Sequence, residues 1–319
     1  MLAIGILTYG DRLKFLVPVI ASCMKVPEVR LIVVANQCSV AVEGYLTELA
    51  CASENVSVEL LAENRGSAGG YKTVIRNFLE RTSCERLLLL DDDNELILDD
   101  VSVLSQSEVQ AASAIFRPHR RIMRQIVAGY NPDILYPPQG SFLGFDVLYL
   151  VRKFFHLRFF QPNLPRSGLK EAPYSGLIIR RSVIDAVGYP SEKFFLYADD
   201  TDYTRRIVKR FGLIKIVSDA SINELEQSWN SGLGSNSLLS RLRASDKSFR
   251  IYYSIRNRVN LDMNEAGKAG FPYFRYRINK AIYLSIFRVF LRAGLFSYIL
   301  KAVFDGERER LGVEVNEKI

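Results

Sequence analysis

The sequence offers little to a soft metal. It holds two histidines, His119 and His156, and four scattered cysteines, Cys23, Cys38, Cys51 and Cys84, with no C-x-x-C pair, so a structural zinc site is excluded. A chain of 319 residues has apolar core enough to do without a disulfide framework. It also lacks a long uncharged apolar run: the hydrophobic stretch near the C-terminus is interrupted by Arg288 and Arg292, which argues against a spanning helix. The opening Met1-Leu2-Ala3-Ile4-Gly5-Ile6-Leu7 has neither the basic segment nor the small-residue cleavage site of a secretory signal, and reads as the first buried strand of a cytoplasmic protein. What is present is an ordinary globular composition, 48% hydrophobic and 24% charged, which excludes a disordered or collagen-like chain. The 42 Lys and Arg outnumber the 35 Asp and Glu, and the resulting +7 favours anionic partners such as phosphates, nucleic acid or acidic lipid.

Three short apolar runs, 3–7, 30–35 and 86–90, each end in polar residues and stand far enough apart for crossover helices, the rhythm of a parallel sheet. A further strand is predicted over 57–62 and a helix over 70–81. Ligands of such sheets bind beyond the carboxyl ends of the strands, where Thr8-Tyr9, Asn36-Gln37 and Asp91-Asp92-Asp93 fall. Residues 131–173 are rich in Pro, Gly and aromatics, which predicts a loop-dominated, substrate-facing region. A strand over 174–181, a short helix over 182–187 and a helix over 203–211 follow. Residues 228–237 are predicted to be a mobile loop. The proline-free span 273–303 reads as largely helical. On a helical wheel Arg277, Lys280, Arg288 and Arg292 share one side, and Ile282, Ile286, Val289, Phe290, Ala293 and Leu300 the other. Two readings stand open: a basic amphipathic helix lying on an anionic membrane, or a helix packed on the catalytic domain with a solvated basic face.

Three clusters can carry chemistry. Leu87-Leu88-Leu89-Leu90-Asp91-Asp92-Asp93 delivers three carboxylates from a buried strand; they repel one another unless a cation is present, and invite Mg²⁺ or Mn²⁺ shared with substrate phosphate oxygens. The alternative is an acidic solvated turn. Asn64-Arg65-Gly66-Ser67-Ala68-Gly69-Gly70 places three glycines ahead of a helix, letting backbone approach a ligand; an ordinary glycine turn reads equally well, and the spacing is neither G-x-G-x-x-G nor Walker A. Phe194-Phe195-Leu196-Tyr197-Ala198, a strand-like aromatic run, leads into Asp199-Asp200-Thr201-Asp202, where one carboxylate can act as general base while Asp199 and Asp202 cap the next helix.

In order, Leu7-Thr8-Tyr9, Val33-Val34-Ala35-Asn36, Asn64 to Gly70, Asp91-Asp92-Asp93 and Asp199 to Asp202 followed by Arg205 resemble glycosyltransferase family 2 over most of the chain. Tyr252-Tyr253-Ser254-Ile255-Arg256-Asn257-Arg258 and the tail from Lys301 to Gly312 bring the resemblance nearest to the bacterial rhamnosyltransferase and galactofuranosyltransferase branch. The resemblance implies an α/β fold of the GT-A, Rossmann-like kind that binds a nucleotide sugar, with a mostly helical C-terminal extension. It implies inverting transfer, from a UDP- or dTDP-sugar with galactofuranose or rhamnose as leading sugars, to a hydroxyl of a surface-polysaccharide or lipid-linked glycan acceptor. It assigns Thr8, Tyr9, Asn36, Asn64, Arg65, Gly66, Asp91 and Asp92 to the donor, Asp91 and Asp93 to a Mn²⁺ or Mg²⁺ ion, and Asp200 to the catalytic base. Asp199, Asp202 and Trp229 fall to the acceptor, Trp229 also suiting a packing role.

Two positions depart from the family pattern. Ala35 stands where an Asp is common, and no histidine follows the second acidic motif, leaving Glu224, Glu226 or water as third metal ligand. The expected division is a catalytic domain over 1–240, binding the donor through residues 1–130 and the acceptor through residues 131–240, then a basic helical region over 241–319 suited to the cytoplasmic face of the inner membrane. A metal-dependent nucleotidyltransferase would place more basic residues in the glycine-rich loop than Arg65 alone. A basic nucleic-acid-binding protein leaves both acidic clusters unexplained, so nucleic acid is not an expected partner, and the glycine spacing disfavours a dinucleotide-dependent dehydrogenase.

Overall fold

The computed structural model describes residues 1–98, 111–154, 168–226 and 248–313. The chain divides into two compact units, one of Met1–Gly129, Leu164–Glu192 and Asp199–Ser231, the other of Tyr130–Asn163, Lys193–Ala198 and Gly232–Ile319.

The first unit contains a curled mixed sheet. Its parallel half comes from the apolar runs of the N-terminal sequence: β1 (Leu2–Gly10), β2 (Arg30–Cys38), β3 (Val56–Leu61) and β4 (Arg86–Asp91), joined by helices α1 (Leu13–Cys23), α2 (Val40–Ala52) and α3 (Gly66–Arg81). Being covered on both faces, β1, β2 and β4 are buried nearly end to end. Ile4, Ile6, Leu31, Val33, Leu88 and Leu90 pack in one core with Leu16, Val19 and Ile20 of α1 and Val42 and Leu46 of α2. On the opposite face α3 approaches β1 so closely that a Cβ on Gly5 would lie 2.2 Å from Val74, and one on Gly70 would lie 2.4 Å from Leu7.

The other half, antiparallel except where β6 and β8 pair in parallel, comprises β5 (Asn94–Leu98), β6 (Ala112–Phe116), β7 (Leu177–Arg180) and β8 (Lys215–Glu224), in the sheet order β3-β2-β1-β4-β7-β6-β8-β5. Here α4 (Arg121–Val127), α7 (Arg181–Val187) and α8 (Asp199–Phe211) complete the unit. Although β5 closes the far edge, Leu96 N donates to Ser22 Oγ of α1 at 3.1 Å, which shows how far the sheet curls. The strand predicted over 174–181 is confined to Leu177–Arg180, and the helix predicted from 203 begins at Asp199.

In the second unit α5 (Pro132–Leu135) and α6 (Val147–Phe154) interrupt the loop-rich stretch, and α9 (Ser248–Ala266), α10 (Gly270–Phe290) and α11 (Ala293–Glu307) form its helical portion. Asp146 ties the loop to α10, accepting from Arg275 Nε and Nη2, both at 2.6 Å, and from Asn279 Nδ2 at 2.7 Å. The span 273–303 is not one helix: it breaks at Leu291 and Arg292, so the expected wheel holds only as far as Phe290. The buried side of α10 is Tyr276, Asn279, Tyr283 and Phe287, whereas Ile286, Val289 and Phe290 of the expected apolar side are exposed. Among the described residues no helix is long and apolar enough to cross a membrane.

The aromatic run before the second acidic motif is also not a strand. After a 3₁₀ turn at Glu192–Phe194, residues Phe195, Tyr197 and Ala198 adopt φ of 59°, 65° and 60°, a left-handed conformation costly for residues with a Cβ. Asn257, fully buried on α9, holds this turn through Nδ2, which donates to the carbonyls of Phe194, Leu196 and Tyr197 at 2.8, 2.8 and 3.0 Å.

Candidate active site

The carboxyl end of β4 sets the site. Asp91 is the last residue of that strand and Asn94 the first of β5, so Asp92 and Asp93 form the tight turn between them. Alternation along the chain sends the three carboxylates to different surroundings. Asp91 Oδ1 accepts from Tyr71 OH at 2.5 Å. Asp92 is buried and accepts from Thr8 Oγ1 at 2.7 Å and Arg12 Nε at 2.8 Å. Asp93 accepts from Arg12 Nη2 at 3.0 Å and from Asn94 Nδ2. Burial lifts Asp92 to about 7 against the pull of Arg12; burial and the neighbouring charge of Asp91 lift Asp93 to about 6.

Arg12, which sequence reasoning misses, is the centre of this group. Its remaining amino group, Nη1, donates to Glu226 Oε2 at 2.8 Å, and its guanidinium lies 5.1 Å from the ring centre of half-exposed Tyr9. The available signal is its position, three residues after the first motif at the end of β1.

Asn36 and Asn64 come together under the glycine turn. Asn36 Nδ2 donates to Asn64 Oδ1 and to the Gly66 carbonyl, both at 3.1 Å, while Arg65 N donates to Asn36 Oδ1 at 2.8 Å and Gly66 N to Asn64 Oδ1 at 2.8 Å. Gly66, with φ of 66°, opens α3 one turn earlier than predicted. Gly69 and Gly70 are tightly packed: a Cβ on Gly69 would meet the Arg65 stem at 2.6 Å, and Gly70 abuts Leu7. The Arg65 side chain is half-exposed beside Glu63 at 3.8 Å.

The second acidic motif forms the first turn of α8. Asp199 is buried and accepts from Ser67 Oγ of α3 at 2.8 Å, linking the N-terminal turns of the two helices. Asp200 accepts from the Thr201 backbone N–H at 2.6 Å. Both carboxyls sit above their ordinary range: burial is the main cause for each, with Asp200 adding to Asp199 and the charges of Glu171 and Asp91 adding to Asp200. Asp91 and Asp200, 109 positions apart by number, therefore lie within electrostatic reach of one another. Asp202 instead turns along its helix to Arg206, 3.1 Å away. Between the two motifs stand Tyr71 and Tyr174, ring centres 4.3 Å apart, with Tyr203 6.1 Å beyond. These tyrosines have no distinguishing mark in the sequence. Trp229 lies outside the described residues, as does the loop over 228–237.

The expected stand-ins for the missing histidine are otherwise engaged. Glu224 meets Arg117, His119 and Arg120, and Glu226 meets Arg12. Among the described residues no three His, Cys, Asp or Glu side chains gather as a metal-holding group. Of the expected ligands Asp91 and Asp93 remain as a two-carboxylate set, with Asp91 bonded to Tyr71 and Asp93, like Glu226, paired with Arg12. That set fits a hard cation which draws its other ligands from water and phosphate, and does not fit a closed protein cage.

No family model and no curated protein matches the sequence. Solved structures do match in fold. A mannosyltransferase of Pyrobaculum calidifontis, PcManGT, aligns with a TM-score of 0.52 at 10% identity, over 96% of this chain and 86% of its own. TarS of S. aureus, in complex with UDP-GlcNAc, aligns with a TM-score of 0.54 at 13% identity, over 97% of this chain and 81% of its own. The fold is thus of the GT-A kind, with its acidic turn at the strand end where such sheets bind ligands.

Proposed function

We propose that the protein is a glycosyltransferase, moving a sugar from a nucleoside-diphosphate donor to an acceptor hydroxyl with inversion at the anomeric carbon. The observation that carries this reading is that Asp91, at the end of β4, and Asp200, at the start of α8, lie within electrostatic reach of one another in a GT-A fold. PcManGT is solved with GDP-Man and Mn²⁺, and TarS with UDP-GlcNAc, which supports the nucleotide-sugar class of donor.

In this reading Asp200 accepts the proton of the acceptor hydroxyl as its oxygen bonds to the anomeric carbon and the bond to the diphosphate oxygen breaks. Its raised pKa suits a base that must gain a proton during the step. Asp91 and Asp93 would hold Mn²⁺ or Mg²⁺, which when bound supplies charge stabilisation to the departing diphosphate. Asp93 is released for that role only if Arg12 gives up its contact, whereas Asp92 keeps Thr8 and Arg12 in place. Tyr9, Asn36, Asn64, Arg65 and Gly66 shape the donor side, and Asp199 and Asp202 flank the base on the acceptor side. Galactofuranose and rhamnose are the leading donor sugars, and the acceptor is a bacterial surface or lipid-linked glycan.

The test is thermal stability with UDP, dTDP, GDP and NAD, each with and without Mn²⁺, since a ligand of the native state raises the apparent stability. One nucleoside diphosphate should shift the transition in a Mn²⁺-dependent way, and Asp93→Ala should abolish the metal dependence. Asp200→Asn should keep the shift and lose transfer by roughly 10²-fold or more. Near-full transfer by Asp200→Asn would remove the base assignment; absence of any nucleotide shift would remove the donor class.

A further inference from the structure

A second charged group, unused in that scheme, lies at the end of β6. One oxygen, Glu224 Oε1, faces three nitrogens: Arg117 Nη2 in hydrogen-bond contact, His119 Nε2 at 2.8 Å and Arg120 Nη2 at 3.7 Å. Arg117 is 2% exposed and also donates to Asn94 Oδ1 at 2.6 Å, so Glu224 is chiefly committed to it. Burial, with Arg117 and Arg120 nearby, holds His119 below its ordinary pKa and hence neutral at pH 7. Two permanent cations therefore share one carboxylate.

Among the described residues both arginines leave Nε without a partner, but Arg117 bonds Glu224, Asn94 and the Ser175 carbonyl through its amino groups, and Arg120 is the more weakly held. Its distance to Glu224 exceeds a hydrogen bond, and its Nε is buried. Burial and the charge of Arg117 disfavour its ionised form, while Glu224, Asp200 and Asp91 favour it, so the guanidinium lies in the field of both acidic motifs. A guanidinium does not give up its proton in a protein, and buried donors without acceptors are costly. A planar fork of N–H groups fits a phosphate oxyanion through two parallel bonds.

We infer that Arg120, set in place by Arg117 and Glu224, is an oxyanion-binding residue of the candidate active site that takes a phosphate group of one of the two substrates beside Asp91 and Asp200. This rests on the glycosyltransferase reading for the identity of the substrates, but not for the binding itself. The phosphate belongs either to the donor diphosphate or to a phosphorylated acceptor.

The test is calorimetric titration of the full chain, Arg120→Gln and Arg120→Lys with pyrophosphate and inorganic phosphate in EDTA, alongside nucleoside diphosphates with Mn²⁺. Unfolding midpoints of all three proteins are compared first. Metal-free binding of either simple anion should weaken at least roughly tenfold in Arg120→Gln and recover partially in Arg120→Lys, as expected for loss of a charge-assisted pair. A parallel loss of nucleoside-diphosphate affinity assigns the anion to the donor. Phosphate binding that persists under saturating nucleoside diphosphate, and still depends on Arg120, assigns it to the acceptor. Wild-type protein that binds neither simple anion, or an Arg120→Gln variant that binds them equally well, overturns the inference while leaving the glycosyltransferase reading intact. Arg120-dependent phosphate binding without any nucleoside-diphosphate binding does the reverse.

Discussion

Asp199 carries its proton to a higher pH than an ordinary aspartate because burial and the charge of Asp200 both oppose ionisation, against the Ser67 hydroxyl and the backbone N–H groups of Asp199 and Asp200, which favour it. With the folded pKa raised above the unfolded value near 3.9, its contribution to stability is largest below that value and is lost as pH rises through the folded one. Asp199→Asn is therefore expected to raise the unfolding midpoint at pH 8 by a few degrees and to change it little at pH 4, measured by thermal denaturation across that range. A midpoint lowered equally at both pH values would show that the Ser67 contact outweighs the charge. The same arithmetic applies to Asp92 and Asp93 of the first motif, both raised by burial. Asp92 is compensated by Arg12 and Thr8 in the interior, and Asp93 shares that arginine at the rim.

The turn from Phe194 to Ala198 shows how one element is held in shape by another. Three residues with side chains occupy left-handed backbone, at a cost of roughly 1–2 kcal/mol each. The Asn257 amide offsets some of that by donating to three carbonyls. Its neighbour Arg256, also buried, donates to Asn257 Oδ1 at 2.9 Å and to the Gly312 carbonyl at 2.9 Å, so α9 grips both the turn and the C-terminal tail. Asn257→Ala should destabilise the protein by about 1–3 kcal/mol, the cost of orphaned buried acceptors, and Asn257→Asp by at least as much, because a carboxylate offers those carbonyls no donor. Urea denaturation gives the energies. Hydrogen exchange should show lost protection confined first to residues 193–198; loss spread evenly through α9 would mean the amide serves the helix rather than the turn.

For the whole molecule, the question left by the sequence is whether the C-terminal basic region meets lipid. The structure leaves Phe271 66%, Phe274 62%, Val289 77% and Phe290 53% exposed on α10, while Arg277 on the same helix is exposed and donates to Tyr273 OH at 3.0 Å. Lys280 is different, being drawn to Glu307 of α11. An aromatic and aliphatic surface beside an arginine, both exposed, supports the anionic-membrane reading. Phe274→Ser combined with Val289→Asp and Phe290→Ser should reduce sedimentation with phosphatidylserine-containing vesicles at least roughly tenfold without lowering the unfolding midpoint. Unchanged vesicle binding would assign this face to another role.

Much of this is legible without coordinates. Uninterrupted apolar runs such as 86–90 suit strands buried on both faces, and the acidic residues that follow them must then gather at the carboxyl end of the sheet. Local pattern thus determines the parallel half of the fold and the strand-end location of Asp91 and Asp93. It misreads the run 194–198, whose aromatics look strand-like, because the hydrogen bonds that stabilise its left-handed turn come from Asn257, about sixty residues away. It likewise misses Arg12, Arg117 and Arg120, since an arginine carries no mark of whether it will end in solvent or against a buried carboxylate. Sequence specifies where a carboxylate emerges, through the period of the strand that bears it; which cation meets it depends on distant segments being brought together, and only the tertiary structure decides that.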